Sequence, residues 1–132
     1  METAVQVFAV VNLLVIGVSH IARPRAWIGF FESLKAKGEA GVFVVALISL
    51  AFGSILVAFH NVWSGIPIVL TLLGWSQVLK AALYFTWPAY GLKKLRVACQ
   101  ARAWLVRVPG VAFVVIAGLL LYHLATRGPM AV

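Results

Sequence analysis

Four long apolar runs constrain what this chain can fold into more than any other feature. The runs are residues 4–22, 41–59, 66–87 and 104–125. Each approaches the roughly 20 residues that cross a ~30 Å hydrocarbon core at 1.5 Å per residue. Backbone polar groups in lipid must be bonded within the segment, and the runs lack the alternation of barrel strands. The sequence therefore predicts an all-α polytopic membrane protein with four transmembrane helices, in a single domain over residues 1–132.

Composition supports this class. The 132 residues are 64% hydrophobic and 11% charged, with a mean hydropathy of +1.05, whereas soluble domains average roughly 45–50% apolar and about 25% charged residues. The one cysteine, Cys99, permits no internal disulfide and lacks partners for a cysteine-based zinc site. The net charge of +8 reports membrane orientation rather than nucleic-acid binding, because the aromatic residues lie within or beside the apolar runs. We expect no metal, no cofactor and no nucleic-acid partner.

The basic residues between the runs predict the orientation of the chain. Eight of them lie in the first and third connections: Arg23, Arg25, Lys35, Lys37, Lys93, Lys94, Arg96 and Arg102. Positive loops stay on the cytoplasmic side, so both termini and the second connection are predicted to face outward, to the periplasm. The first run is not predicted to be a cleaved signal peptide, because Glu2 precedes it and the positive charges follow it.

The second connection, "HNVWSGIP", places a histidine, an asparagine and a tryptophan between two apolar runs. Gly65 and Pro67 suit a turn and a helix start, and Asn61 suits a helix end. This pattern is typical of a tight helical hairpin, with His60 bonding carbonyls or headgroups at the helix end. A less favoured alternative is a b-type haem held by His60 and His123, which are predicted to lie at similar depth on different helices.

The first and third connections are predicted to meet anionic headgroups at the cytoplasmic face. Between residues 24 and 37, Trp27, Phe30, Phe31 and Leu34 recur at helical spacing, which indicates a short interfacial amphipathic helix or a helix that docks on a partner. The third connection is interpreted as a solvated basic loop that begins at Pro88. Tryptophans at the ends of the runs are predicted membrane-interface anchors: Trp27, Trp63, Trp87 and Trp104.

Lys80 is the one charged residue deep within an apolar run. A lysine near the bilayer centre costs about 2.5–3.5 kcal/mol on insertion scales. The favoured interpretation is that Lys80 snorkels toward the inner interface or forms a structural pair with Glu32 or Glu39. The alternative is a polar pocket for an anionic or polar ligand, formed by Lys80, Gln77 and Asn12.

One stretch of the sequence is similar to a known family. It runs from His60 to Trp75, reads H-N-x-W-x-G-x-P-x-x-x-T-x-x-G-W, and is followed five residues later by Lys80. Together with "GVSH…P…W…FF" after the first run, it resembles an uncharacterised family of small bacterial four-span inner-membrane proteins. The resemblance covers roughly the first three helices and implies a bacterial inner-membrane location, but no activity. A looser similarity to small four-helix proteins of the DoxX type rests on span number and length.

These observations favour a non-enzymatic function. The sequence lacks an H-E-x-x-H, P-loop or G-x-S-x-G motif, and no apolar run contains an acidic residue. We expect a small accessory or structural subunit packed against a larger membrane complex, such as an energy-converting one. The alternatives are a homo-oligomeric binding or transport protein that uses the pocket around Lys80 and Gln77, and a haem protein that uses His60 and His123. The expected partners are membrane lipids and other membrane subunits, or a second copy of the chain.

Overall fold

The computed structural model describes residues 1–100 and 102–127. Over these residues the chain forms helices and turns, without a strand. The helices are α1 (Glu2–Ala22), α2 (Pro24–Ala36), α3 (Glu39–Phe59), α4 (Ile68–Thr86), α5 (Pro88–Gln100) and α6 (Ala103–Thr126). The fold class is therefore all-α, as the sequence predicts.

Four of these helices, α1, α3, α4 and α6, are long and apolar enough to cross a membrane. Each begins and ends within two residues of the predicted run. In the α3–α4 hairpin, α4 begins at Ile68, two residues later than the predicted run, which begins at residue 66. It begins later because Gly65 turns the backbone at φ +66° and Pro67 occupies the N-cap. The protein therefore has the helices of a multi-pass membrane protein.

The four long helices pack as two antiparallel pairs, α1 with α6 and α3 with α4. Glycines lie where the helices of each pair approach most closely. A Cβ on Gly17 would lie 2.8 Å from the carbonyl oxygen of Gly110, and a Cβ on Gly53 would lie 2.9 Å from that of Gly74. Such close backbone approach compensates for the absence of a hydrophobic drive between helices in lipid.

Two apolar clusters lie at opposite ends of the bundle: one joins the two helix pairs, and the other joins α2 and α5 to the α3–α4 pair. The first lies at the end that contains both chain termini and the α3–α4 connection, which we call the termini end. Its buried members are Val5, Ala9, Val10, Leu13, Leu56, Leu70, Ala117 and Leu120. The second lies at the other end, which we call the α2–α5 end, and its buried members are Leu34, Val42, Ala46, Tyr84 and Leu95. Each cluster draws on at least three helices.

Helix α5 replaces the basic loop that the sequence predicts after the third run. Pro88 begins this helix rather than only ending the previous one, because a proline is tolerated in the first turn. Gly91 and Leu95 are buried against α3 and α4, while Lys93 and Lys94 are exposed. The buried face is small, which is why apolar periodicity alone did not reveal the helix. Helices α2 and α5 pack on each other as well as on α3.

Candidate functional site

A buried polar network joins the two helix pairs at the termini end. His60, the residue after α3, is 0% exposed. Its Nε2 atom lies 3.1 Å from Nε2 of Gln6 on α1, and its Nδ1 atom lies 3.3 Å from Oγ1 of Thr71 on α4. Both partners are also buried. Hydrogen bonds from one imidazole therefore connect α1, α3 and α4.

The surrounding bonds determine which ring nitrogen of His60 carries the proton. The Thr71 hydroxyl donates its single hydrogen to the carbonyl of Val62 at 2.7 Å and accepts the Val62 N–H at 3.0 Å. Thr71 can therefore only accept from His60, so Nδ1–H is the donor. Nε2 is then free to accept from the Gln6 amide, and His60 is neutral with both ring nitrogens bonded.

Burial favours this neutral form. It lowers the pKa of His60 below the ordinary value of 6.5, because the charged ring would lose its hydration. The neighbouring charge of His123 lowers the pKa further. A backbone hydrogen bond and the carboxylate of Glu2 act in the opposite direction, with smaller effects than burial.

Two polar atoms at this end are buried without a hydrogen-bond partner among the described residues: Oε1 of Gln6 and Nε2 of His123. The α1–α6 register places the two residues at one level. Gly17 of α1 lies against Gly110 and Val114 of α6. Because the two helices are antiparallel, the residue eleven positions before Gly17, Gln6, lies level with the range eleven positions after this contact, 121–125. Gln6, His60 and His123 therefore lie at one level of the bundle, with Glu2 one turn beyond Gln6.

The predicted histidine pair for a haem, His60 and His123, thus lies at one end of the protein. Ligation of an iron through His60 would require Nε2 to release Gln6 or Nδ1 to release Thr71. His20 lies at the α2–α5 end, stacked on Trp27 with ring centroids 4.0 Å apart. Within the described residues, no three or more His, Cys, Asp or Glu side chains are grouped so as to hold a metal ion.

The residues of the predicted pocket around Lys80 have separate contacts. The Lys80 ammonium lies 5.7 Å from the ring centroid of Tyr84, one turn further along α4. Gln77 packs against Gly53 of α3. The Asn12 amide donates to the carbonyl of Phe8 on its own helix at 2.8 Å. The pocket itself stays a prediction.

Three of the four tryptophans predicted to anchor the protein lie at or beside the ends of long helices, and the fourth, Trp27, lies on α2. Trp63, in the α3–α4 connection, is 57% exposed at the termini end, and Trp87 and Trp104 are similarly exposed at the α2–α5 end. Trp27, on α2, is less exposed and donates from Nε1 to the hydroxyl of Ser19 at 2.9 Å. Its indole therefore also fastens α2 to the end of α1.

Sequence reasoning missed Gln6 and Thr71 as partners of His60. A signal for both was present. In antiparallel packing, a polar residue near the start of the first run and one near the start of the third run lie at the same end as His60. A histidine bonded to two side chains on other helices was less expected than one bonded to nearby carbonyls, because bonds to the local backbone require no tertiary contact.

Comparison with known proteins adds no assignment to this site. No protein-family model matches the chain, and neither a curated protein nor a solved structure matches it. The fold and the site define a helical protein with four potential membrane spans and a buried histidine network at one end.

Proposed function

We propose that this protein is a non-enzymatic integral membrane protein that serves as an accessory or structural subunit of a larger membrane complex, such as an energy-converting one. The polar network of Gln6, His60 and Thr71 supports a structural role, because its known bonds join the protein's own helices. The surfaces of the long helices support association within a membrane, since less than half of the apolar stretch of each helix is buried within the chain itself.

The observation that carries the proposal is the position of Lys80. Gly53 lies against Gln77 across the α3–α4 pair, so Lys80, three residues later, lies level with residue 50, near the middle of α3. Its ammonium lies over the ring of Tyr84, whereas the three acidic residues, Glu2, Glu32 and Glu39, lie in or before the first turn of a long helix or on α2. A half-buried cation at this depth gains a strong hydrogen bond if a carboxylate or carbonyl of another subunit lies opposite.

Lys80→Met tests this function, with Lys94→Met as the matched control. Lys94 also lies over a tyrosine, with its ammonium 5.3 Å from the ring centroid of Tyr90, but it is on α5, outside the four long helices. We expect the parent and Lys94→Met to co-purify from native membranes with a partner at constant stoichiometry. Lys80→Met is expected to lose about tenfold or more of that partner, because a charge-assisted bond in a dry interface is removed.

Quantitative mass spectrometry of the purified material gives the answer. Equal retention by both variants would contradict the role of Lys80. Purification of the parent as a lone homo-oligomer would contradict the subunit proposal.

A homo-oligomeric binding or transport protein is the second candidate. It is favoured by Gln77, which is half-buried one turn from Lys80, so that both side chains could face one polar ligand between copies of the chain. Under this alternative the parent purifies as a lone oligomer, and Gln77→Leu and Lys80→Met both reduce the co-purified ligand. A Soret band in the same material would instead support the haem alternative at His60 and His123.

We also propose that the protein lies in a bacterial inner membrane with both termini on the periplasmic side and α2 in the cytoplasmic interface. The basic residues around Lys35 and Lys94 support this orientation. In a Cys99→Ser background, an impermeant thiol reagent on intact cells is expected to label Ser64→Cys and spare Ala36→Cys. Both positions are exposed and lie at opposite ends of α3. The reverse labelling pattern would overturn the orientation.

A further inference from the structure

A basic cleft lies at the α2–α5 end, where α1, α2 and α6 meet. Its volume is about 530 Å³, and its lining includes Arg23, Arg25 and Arg107. Arg23 is the residue between α1 and α2, Arg25 is in the first turn of α2, and Arg107 is in the second turn of α6. Among the described residues that line the cleft, none is acidic. Three arginine residues thus line one space, and no carboxylate among those lining residues neutralises them.

Arg107 is held at this cleft by a specific contact. Its Nε–H donates to the carbonyl oxygen of Ile21, in the last turn of α1, at 3.2 Å. The bond connects α6 to α1 and occupies a carbonyl that would otherwise add negative charge at a helix C-terminus. The bond does not use the two terminal guanidinium nitrogens of Arg107, a residue that lines the cleft.

The backbone adds further positive potential. The N-termini of α2 and α6 both border the cleft, through Pro24 and Ala103. The N-cap residues, Arg23 and Arg102, have no side-chain acceptor for first-turn N–H groups. Pro24 has no N–H, and Leu105 donates to the carbonyl of Arg102, so the N–H groups that remain uncapped are those of Arg25 and Ala26 in α2 and of Ala103 and Trp104 in α6. Helix N-termini attract anions because of these free donors and the helix dipole.

We propose that this cleft binds a phosphate group, with Arg23, Arg25 and Arg107 as its ligands. Arginine suits this role because its planar donors match two phosphate oxygens at once. The cleft lies where α1 ends and α6 begins, and the exposed Trp104 follows its lining residue Ala103 in the chain. This level is that of the headgroups, so an anionic phospholipid is the expected source of the phosphate, and a free phosphate is the other source of the same chemistry. The site does not depend on the subunit role of Lys80.

Lipid binding by the purified full chain tests the proposal. The probes are phosphatidylglycerol, phosphatidylcholine and inorganic phosphate, each added to protein in an uncharged detergent. Native mass spectrometry counts bound lipid, and fluorescence of the tryptophans, of which Trp27 and Trp104 lie near the cleft, gives the affinity. We expect saturable binding of phosphatidylglycerol and weak binding of phosphatidylcholine, whose choline group cancels the phosphate charge.

The variant R23Q/R107Q removes two ligands, and K93Q/K94Q is the control because it removes the same charge from the exposed face of α5. R23Q/R107Q is expected to weaken phosphatidylglycerol binding about tenfold or more, through the lost charge-assisted bonds, while the control stays near the parent. Arg25→Gln keeps the Arg107–Ile21 bond intact and is expected to weaken binding in the same direction. This variant separates loss of the site from disruption of the α1–α6 packing.

Each outcome decides the matter. If the parent binds inorganic phosphate and R23Q/R107Q does not, the phosphate site is supported. If phosphatidylglycerol does not displace that phosphate, the site is assigned to a free anion. Equal weakening by K93Q/K94Q would show diffuse attraction and overturn the proposal. Unchanged affinity in both arginine variants, or no saturable binding by the parent, would also overturn it.

Discussion

His60→Ala is expected to lower the free energy of unfolding by about 2–5 kcal/mol. The substitution leaves a cavity where a fully buried ring stood, and it removes the hydrogen-bond partner of the Gln6 amide. Because the network connects α1 with the α3–α4 pair, the two helix pairs should separate more readily. Denaturant unfolding in detergent, followed by tryptophan fluorescence and helical circular dichroism, measures the loss.

The control is His123→Ala at the same end of the bundle. His123 is only half-buried, and its Nε2 has no partner among the described residues, so truncation should cost much less than at His60. Equal losses in the two variants would mean that the bonds of His60 to Gln6 and Thr71 contribute little.

The network also predicts how stability depends on pH. The unfolded chain protonates His60 as the pH falls through 6.5, whereas the folded protein, in which burial lowers the pKa, resists protonation. The contribution of His60 is therefore fully present above pH 6.5 and is lost as the pH falls toward the pKa of the folded state. When the pH is lowered from about 7 to about 5, the free energy of unfolding should fall less for the His60→Gln variant than for the parent protein. If the free energy of unfolding falls equally with pH in the two proteins, His60 is not the source of the pH dependence.

Gly110→Val is expected to destabilise the α1–α6 pair by about 3 kcal/mol. A Cβ at this position would lie 2.6 Å from Cβ of His20 and 2.7 Å from the carbonyl oxygen of Gly17. Neither neighbour is the flexible end of a side chain, so the helices must move apart. The movement would also strain the Arg107–Ile21 bond one turn away.

Gly118→Val is the matched control for this substitution. Gly118 lies two turns further along the same helix, and a Cβ there would meet nothing within 4 Å. Both variants carry the same cost of a β-branched residue in a helix, so the difference between their unfolding midpoints isolates the close contact. Similar midpoints would show that α1 and α6 do not pack through Gly110.

The spans and the polar network differ in how far the sequence could predict them. The four long helices follow from length and hydropathy, because a segment in lipid must bond its own backbone whatever its neighbours are. The hairpin turn at Gly65 and the turn at Gly38, between α2 and α3, follow from local chemistry as well, since both glycines have a positive φ. These features depend on residues within one segment, so they can be derived from the chain alone.

The partners of His60 and the helix α5 depended on the tertiary structure. Gln6 and His60 are 54 residues apart, and their bond exists only because packing between the helix pairs brings α1 beside the end of α3. Helix α5 buries little of its own surface, and Gly91 matters because Val42 and Tyr84 occupy the space beside it. The arginine cleft likewise requires the end of α1 to meet the start of α6. Contacts between distant segments depend on which helices pair and in what register, and in lipid this is decided by close packing and polar contacts that hydropathy does not encode.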